Sequence, residues 1–196
     1  MATDPDKDLT ARARSGDVDA FAEIFEKHRL LVYRIACRLT GAQDADDVVM
    51  ETYLKAWRAL PSFRGEAALK TWLCRVARSC ALDLLRRRTR EDARRAPASG
   101  DEAGDETGDP WSLIPDPAAD APDSRIQADE LAGQIEQAMA QLSPEHRSVL
   151  VLREVDGLSY KELAAACGTG IGTVMSRLFY AKRKLRQVLL DMGVKP

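Results

Sequence analysis

Between Arg64 and Arg95 ten lysines and arginines stand against four acids, and Thr71, Arg75, Arg78 and Arg86 fall on one helical face. Cationic faces of this density attract phosphate backbones, so the chemistry they suggest is recognition of a polyanion. Immediately before them, Pro61-Ser62-Phe63-Arg64-Gly65-Glu66 reads as a polar loop with one aromatic. A loop of that kind can receive an unstacked base: Gly65 frees the backbone, Phe63 offers an apolar surface, and Glu66 accepts from an exocyclic amine. Phe63 as an ordinary core residue is the competing reading.

A second set lies near the C-terminus. In the stretch 173–188, Val174, Leu178, Ala181, Leu185 and Val188 recur at helical spacing and form one stripe. The opposite face holds Ser176, Phe179, Tyr180, Arg183 and Gln187, flanked by Thr173 and Arg177. Hydroxyls, aromatics and arginines suit a helix that reads base edges and holds phosphates in a major groove. A solvated basic helix is the alternative, but such faces rarely carry two adjacent aromatics. In the stretch 44–60, Asp44, Asp47, Glu51, Lys55 and Arg58 make a stripe of acids running into bases. Self-pairing across one turn and a protein-docking surface both fit that pattern.

Other chemistries find little support. The chain has two histidines, His28 and His146, and four scattered cysteines, Cys37, Cys74, Cys80 and Cys167, with no Cys-x-x-Cys pair. No metal site, no cofactor and no catalytic residue is expected, since neither a phosphate-binding glycine loop nor a nucleophile–base pair stands out. The cysteines read as small buried hydrophobes in a reducing cytosol. No apolar run nears the roughly 20 residues of a membrane span, and the acidic start lacks a signal peptide's pattern, so a cytoplasmic protein is expected.

The elements that must position these residues are helices. Helix formers dominate and no stretch alternates long enough for a sheet, so the fold class is all-α. Asp17 caps a first helix that Gly41 stops, with Phe21, Ile24, Phe25, Leu31, Val32, Ile35 and Leu39 inward. Asp44 caps a second helix that ends at Pro61, and a third spans about 66–88. Net charge is only −2, but residues 91–125 carry ten acids against three arginines, whereas 142–196 carry nine bases against five acids. A partner feels that local asymmetry. The acidic, Pro- and Gly-rich segment cannot bury enough surface to offset chain entropy. We therefore expect two small helical domains, 1–95 and 126–196, joined by a flexible acidic linker, 96–125. Proteolysis should cut the free chain between residues 96 and 122, and Trp111, Leu113 and Ile114 are the linker's bulky apolar residues. The second domain reads as a helix-turn-helix: Ser143-Pro144 opens one helix, Asp156-Gly157 closes it, and Ser159 with Glu162 forms a capping box. Gly168 ends that short helix, and the last one opens near Thr173.

Several stretches together resemble the extracytoplasmic-function (ECF) group of bacterial sigma factors. They are Asp44-Ala-Asp-Asp-Val-Val-Met-Glu-Thr-Tyr-Leu-Lys-Ala-Trp57, Phe63-Arg-Gly-Glu-Ala-Ala-Leu-Lys-Thr-Trp-Leu73, Asp83-Leu-Leu-Arg-Arg-Arg88, Leu150-Val-Leu-Arg-Glu-Val-Asp-Gly-Leu-Ser-Tyr160 and Gly172-Thr-Val-Met-Ser-Arg-Leu178. The resemblance implies a factor that binds core RNA polymerase and directs it to promoter DNA, commonly restrained by an anti-sigma protein. It implies polymerase binding by Asp44, Asp47, Glu51, Leu54 and Lys55. Melting and reading of the −10 element would fall to Phe63, Arg64, Glu66, Lys70, Trp72, Arg75, Arg78, Ser79, Arg86 and Arg87. Reading of the −35 duplex would fall to Arg153, Thr173, Ser176, Arg177, Phe179, Tyr180 and Arg183. The chain departs from the pattern at Met50, where glutamine is common, and at Ser79, where asparagine is frequent. Met175 and Tyr180 stand at positions often basic, so the resemblance does not supply the promoter sequence. The nearest rival is a helix-turn-helix regulator that binds DNA alone, which leaves the basic helix and aromatic loop of the first domain unexplained.

Overall fold

The computed structural model describes residues 7–95 and 122–194, with side chains for 7–91 and 131–194. Helices α1 (Lys7–Arg14), α2 (Val18–Thr40), α3 (Ala42–Ala59) and α4 (Leu69–Arg95) form the first unit. Helices α5 (Pro122–Ala140), α6 (Pro144–Leu150), α7 (Tyr160–Cys167) and α8 (Ile171–Asp191) form the second. No strand occurs among the described residues. The linker expected at 96–125, with Trp111, Leu113 and Ile114, lies outside the described residues up to position 121, and residues 122–125 are already helical.

Asp17 sets the first long helix: its Oδ1 accepts from the Ala20 amide at 3.0 Å, and Arg12 of α1 clamps its other oxygen at 2.7 Å. The amide bond and then the guanidinium hold the Asp17 carboxyl below its ordinary value. Gly41, at φ 91, lets the chain reverse within one residue between α2 and α3. It also takes the N-cap position expected for Asp44, which falls instead in the first turn of α3. The apolar stripes of α2, α3 and α4 then meet around Phe21, which touches Tyr53 and Trp57 at 5.0 and 5.2 Å between ring centroids. Full burial of such a ring contributes about 2–3 kcal/mol.

In the second unit Ser143 caps α6 and Pro144 occupies its first turn. The helix then widens into a π-helical stretch, Val151–Val155, which buries Val151 and Leu152 and turns the chain at Asp156. Ser159 and Glu162 close a reciprocal capping box on α7, and Gly168 ends it in the left-handed region at φ 64. The two units are packed on each other, with α7 and α6 lying along α4 and with α2 contributing its C-terminal end. Leu73, Cys74 and Ala77 share one buried cluster with Leu152, Leu158 and Leu163.

Candidate nucleic-acid interface

The loop between α3 and α4 begins with a 3-10 turn, Leu60–Ser62, that directs Phe63 inward. Phe63 is 8% exposed and packs against Trp72 at 5.2 Å, so of its two readings, base platform and core residue, this arrangement has the core-side ring and not the exposed one. Arg64 and Glu66 remain in solvent, 84% and 80% exposed at the side chain and 4.0 Å apart. They stand at the rim of a cleft of about 740 Å³ that has Phe63, Thr71, Trp72 and Arg75 on one wall and Ala164, Gly168 and Thr169 on the other.

Along α4, Lys70, Arg75, Ser79, Arg86 and Arg87 are exposed, and Arg78 is half-buried. Much of this face meets the second unit. Arg78 Nε donates to Ser148 Oγ at 2.9 Å, Arg86 pairs with Glu145 at 3.4 Å, and Thr71 Oγ1 donates to Glu162 Oε1 at 3.4 Å. Elsewhere across the boundary, Arg147 donates to the Leu39 carbonyl at 3.0 Å and Arg34 reaches Asp156 at 3.5 Å. Burial lowers the Arg78 and Arg147 guanidinium values and pushes the Asp156 carboxyl up to about 6. Glu145, Ser148, Asp156, Glu162, Arg34 and Arg147 were not singled out from sequence for these contacts. The only signal was a handful of acids within an otherwise basic domain.

On α3, Asp47 and Leu54 are exposed, as is Met50 at 61%. Glu51 pairs with Lys55 at 3.4 Å, and the same ammonium reaches Asp83 of α4 at 3.2 Å. Asp44 is buried and bound to Arg88, so it ties α3 to α4 and does not face outward. The stripe is thus partly self-paired, beside an apolar exposed pair, Met50 and Leu54.

On α8 the apolar stripe is inward, with Val174, Leu178, Ala181 and Val188 buried. Thr173 and Ser176 are exposed, Tyr180 is 38% exposed, and Phe179 packs edge-on against it at 5.4 Å. Arg177 and Arg183 are half-buried, and Nη1 of Arg183 is enclosed with no hydrogen-bond partner. Arg153 is committed locally: it donates to the Leu158 carbonyl at 2.7 Å and lies over the Tyr160 ring at 4.9 Å. Among the described residues no three His, Cys, Asp or Glu side chains converge as metal ligands. No helix there is long and apolar enough to cross a membrane.

A basic helix behind a loop, a helix-turn-helix and an outward α3 face are therefore carried on one chain. Sigma-70 region 2 matches residues 24–91, and Sigma-70 region 4 matches residues 132–185. The RNA polymerase sigma-H factor of Pseudomonas aeruginosa is 34% identical over 191 residues, 96% of either chain. The chain belongs to the ECF group of sigma-70 factors. The ECF RNA polymerase sigma-E factor of Escherichia coli is likewise 34% identical, over 92% of either chain. Among solved structures, this sigma factor is similar to CnrH in its complex with the cytosolic domain of CnrY, at 26% identity and a TM-score of 0.63, over 95% of this chain and 97% of that one. It is also similar to the sigma factor RpoE bound to the anti-sigma factor NepR from Bartonella quintana, at 25% identity and a TM-score of 0.63, over 88% and 98%. Region 2 of this sigma factor thus takes in most of α2, all of α3 and most of α4, and region 4 contains the helix-turn-helix.

Proposed function

We propose that this sigma factor docks core RNA polymerase through the exposed part of α3, centred on Asp47, Met50, Glu51 and Leu54, with Lys55 and Asp44 fixing that helix against α4. The basic face of α4, from Lys70 to Arg87, takes the −10 strand, with Arg64 and Glu66 at the entrance to the cleft beside Phe63 and Trp72. The exposed face of α8 reads the −35 duplex. The protein acts by binding, in the cytoplasm, and carries out no chemistry of its own. One observation carries this reading: both sigma-70 regions occur in order on one chain that aligns end to end with sigma factors.

The −10 face is also where the second unit packs. Ser148, Glu145 and Glu162 occupy the places on Arg78, Arg86 and Thr71 that strand phosphates would take. The closed chain is accordingly the resting form, and engagement with polymerase separates the units. One similar solved structure is a sigma factor in complex with an anti-sigma factor and another is CnrH in complex with the cytosolic domain of CnrY, which supports an anti-sigma protein as the keeper of the resting form here. Transcription from a genomic promoter library with core polymerase, with and without the purified chain, tests the reading. New start sites that require both components support it. A footprint on duplex DNA by the chain alone would replace it with a stand-alone regulator.

A further inference from the structure

The opening turns of the second helix of a helix-turn-helix are the part that meets base edges. In α8 those turns are Ile171, Gly172, Thr173, Val174, Met175 and Ser176, without a single cation, carboxylate or amide. Val174 is buried in the core, while Ile171 is 48% and Met175 54% exposed. Being four residues apart, the two exposed apolar side chains lie on one face, a turn above each other. Arg177, the next cation, is half-buried and sits toward α6 and α4: burial and then its charge hold the His146 imidazole below its ordinary value. Ser176 Oγ donates to the Thr173 carbonyl at 3.0 Å, which leaves that hydroxyl its lone pairs and makes it an acceptor toward a groove.

The chemistry of the groove narrows what such a surface can read. Guanine is read by Arg or Lys, adenine by Asn or Gln, cytosine by a carboxylate, and the thymine C5-methyl group by apolar contact. Only the last of these, and hydroxyl contacts, are open to residues 171–176. Charge complementarity selects duplex DNA over a protein as occupant, because residues 142–196 carry nine bases against five acids and exposed Lys161 and Lys184 lie on the helices concerned.

We propose that Met175, together with Ile171 one turn before it, selects thymine in the −35 duplex by packing on its methyl group. The assignment rests on the promoter-reading role given to α8 above and names the base that role discriminates. It makes Met175 a specificity residue, and the absence of cations from these turns removes the means of preferring guanine there.

Holoenzyme assembled from core polymerase and the full chain provides the test. A −35 library is selected first, and each selected thymine is then replaced singly by deoxyuridine, which removes only the methyl. At one or two positions the substitution should weaken the complex about fourfold, the effect of one buried methyl-sized group. Met175→Ala should weaken binding to the thymine promoter and erase the thymine–uracil difference at one of those positions, whereas Met175→Leu should keep it. Met175→Arg should move the selected base toward guanine. Exposure of the side chain makes these variants tolerable to the fold, and a thermal melt of each checks it. A −35-dependent complex that shows no thymine–uracil difference, or the same difference in Met175→Ala and Ile171→Ala, overturns the assignment and leaves promoter reading by α8 standing. Equal binding to intact and scrambled −35 elements brings down both.

Discussion

Asp156 shows what a single residue contributes and what its type alone could not say. From sequence it marks a helix end before Gly157, and it does stand there, but it is also folded under the first unit. Its Oδ1 reaches Arg34 at 3.5 Å and its Oδ2 is enclosed without a partner. Burial raises the carboxyl to about 6 in spite of Arg34 and Lys70. Because the folded value lies above the ordinary 3.8, the folded chain holds the proton more tightly, and stability from this group is present below pH 3.8 and lost as pH rises through about 6. A shift of that size corresponds to a stability change on the order of 3 kcal/mol at most. Chemical denaturation of wild type and Asp156→Asn at pH 4.5 and pH 7.5 should show the variant gaining relative to wild type at the higher pH. A constant difference between the two proteins would mean that the carboxylate is solvated in the native state. His146 shifts in the opposite sense, which is why the comparison uses the Asn variant rather than the raw pH profile. Phe63 teaches the same lesson from the other side. Its sequence context allowed a base platform or a core ring, and only the turn at Leu60–Ser62 together with Trp72 decides that it packs inward in the closed chain. Phe63→Ala should therefore cost about 3–5 kcal/mol in urea unfolding, the range for a buried aromatic.

At the scale of elements, caps and stripes were legible because they are local. Asp17, Gly41, Ser143, the Ser159–Glu162 box and Gly168 all act within four residues of themselves, and each bounds the helix its type implies. Elements without a local marker were not read correctly. Helix α1 is short and mostly polar, and it is held by Arg12 on Asp17 and by burial of Ala13. The π-helical stretch after Leu150 has no sequence signature, since Val151 and Leu152 fit a continuing α-helix equally well. The third long helix starts at Leu69, not near 66, with Gly65 at φ 73 leaving residues 63–68 outside it. The capping box offers an element-level prediction. Ser159 Oγ accepts from the Glu162 amide at 3.3 Å while Glu162 Oε2 accepts from the Ser159 amide at 2.9 Å. Ser159→Ala should lower stability by about 1 kcal/mol, as loss of such a cap does, and amide exchange should rise first across Tyr160–Cys167. Protection there that matches wild type would show that packing of α7 on α4 alone holds the helix.

At the scale of the whole molecule the composition suggested two units and a tether, and periodicity identified each unit's own core. It could not show that the units close on each other. Part of the contact is polar and point-like, Arg78 on Ser148, Arg86 on Glu145 and Arg147 on the Leu39 carbonyl. Its apolar part, Leu73, Cys74 and Ala77 against Leu152, Leu158 and Leu163, reads in sequence as each unit's own core. Hydrophobic spacing carries no trace of the polar pairs, and the same arginines read equally well as a phosphate-binding face. That double fitness gives closure a physical meaning under the proposed function, in which one set of cations would serve the second unit in the resting chain and a nucleic-acid strand in the working one. Ser148 is the most economical place to test the exchange. It is fully buried, its hydroxyl donates to the Glu145 carbonyl at 2.9 Å, and it accepts from the half-buried Arg78. Ser148→Ala keeps the α6 helix and its packing volume but leaves Arg78 enclosed without that acceptor. A hydrogen bond to a charged group contributes about 1.5–3 kcal/mol, so the balance between closed and open chains should move toward open by about tenfold or more. Dyes placed on α2 and α8 should report a longer mean distance in the variant, and a premelted −10 strand should bind the free variant more tightly than wild type. If the distance grows while strand affinity stays unchanged, the face uncovered by opening is not the one that holds the strand. If neither changes, the apolar cluster shared by α4 and α7 holds the units together without help from the arginines.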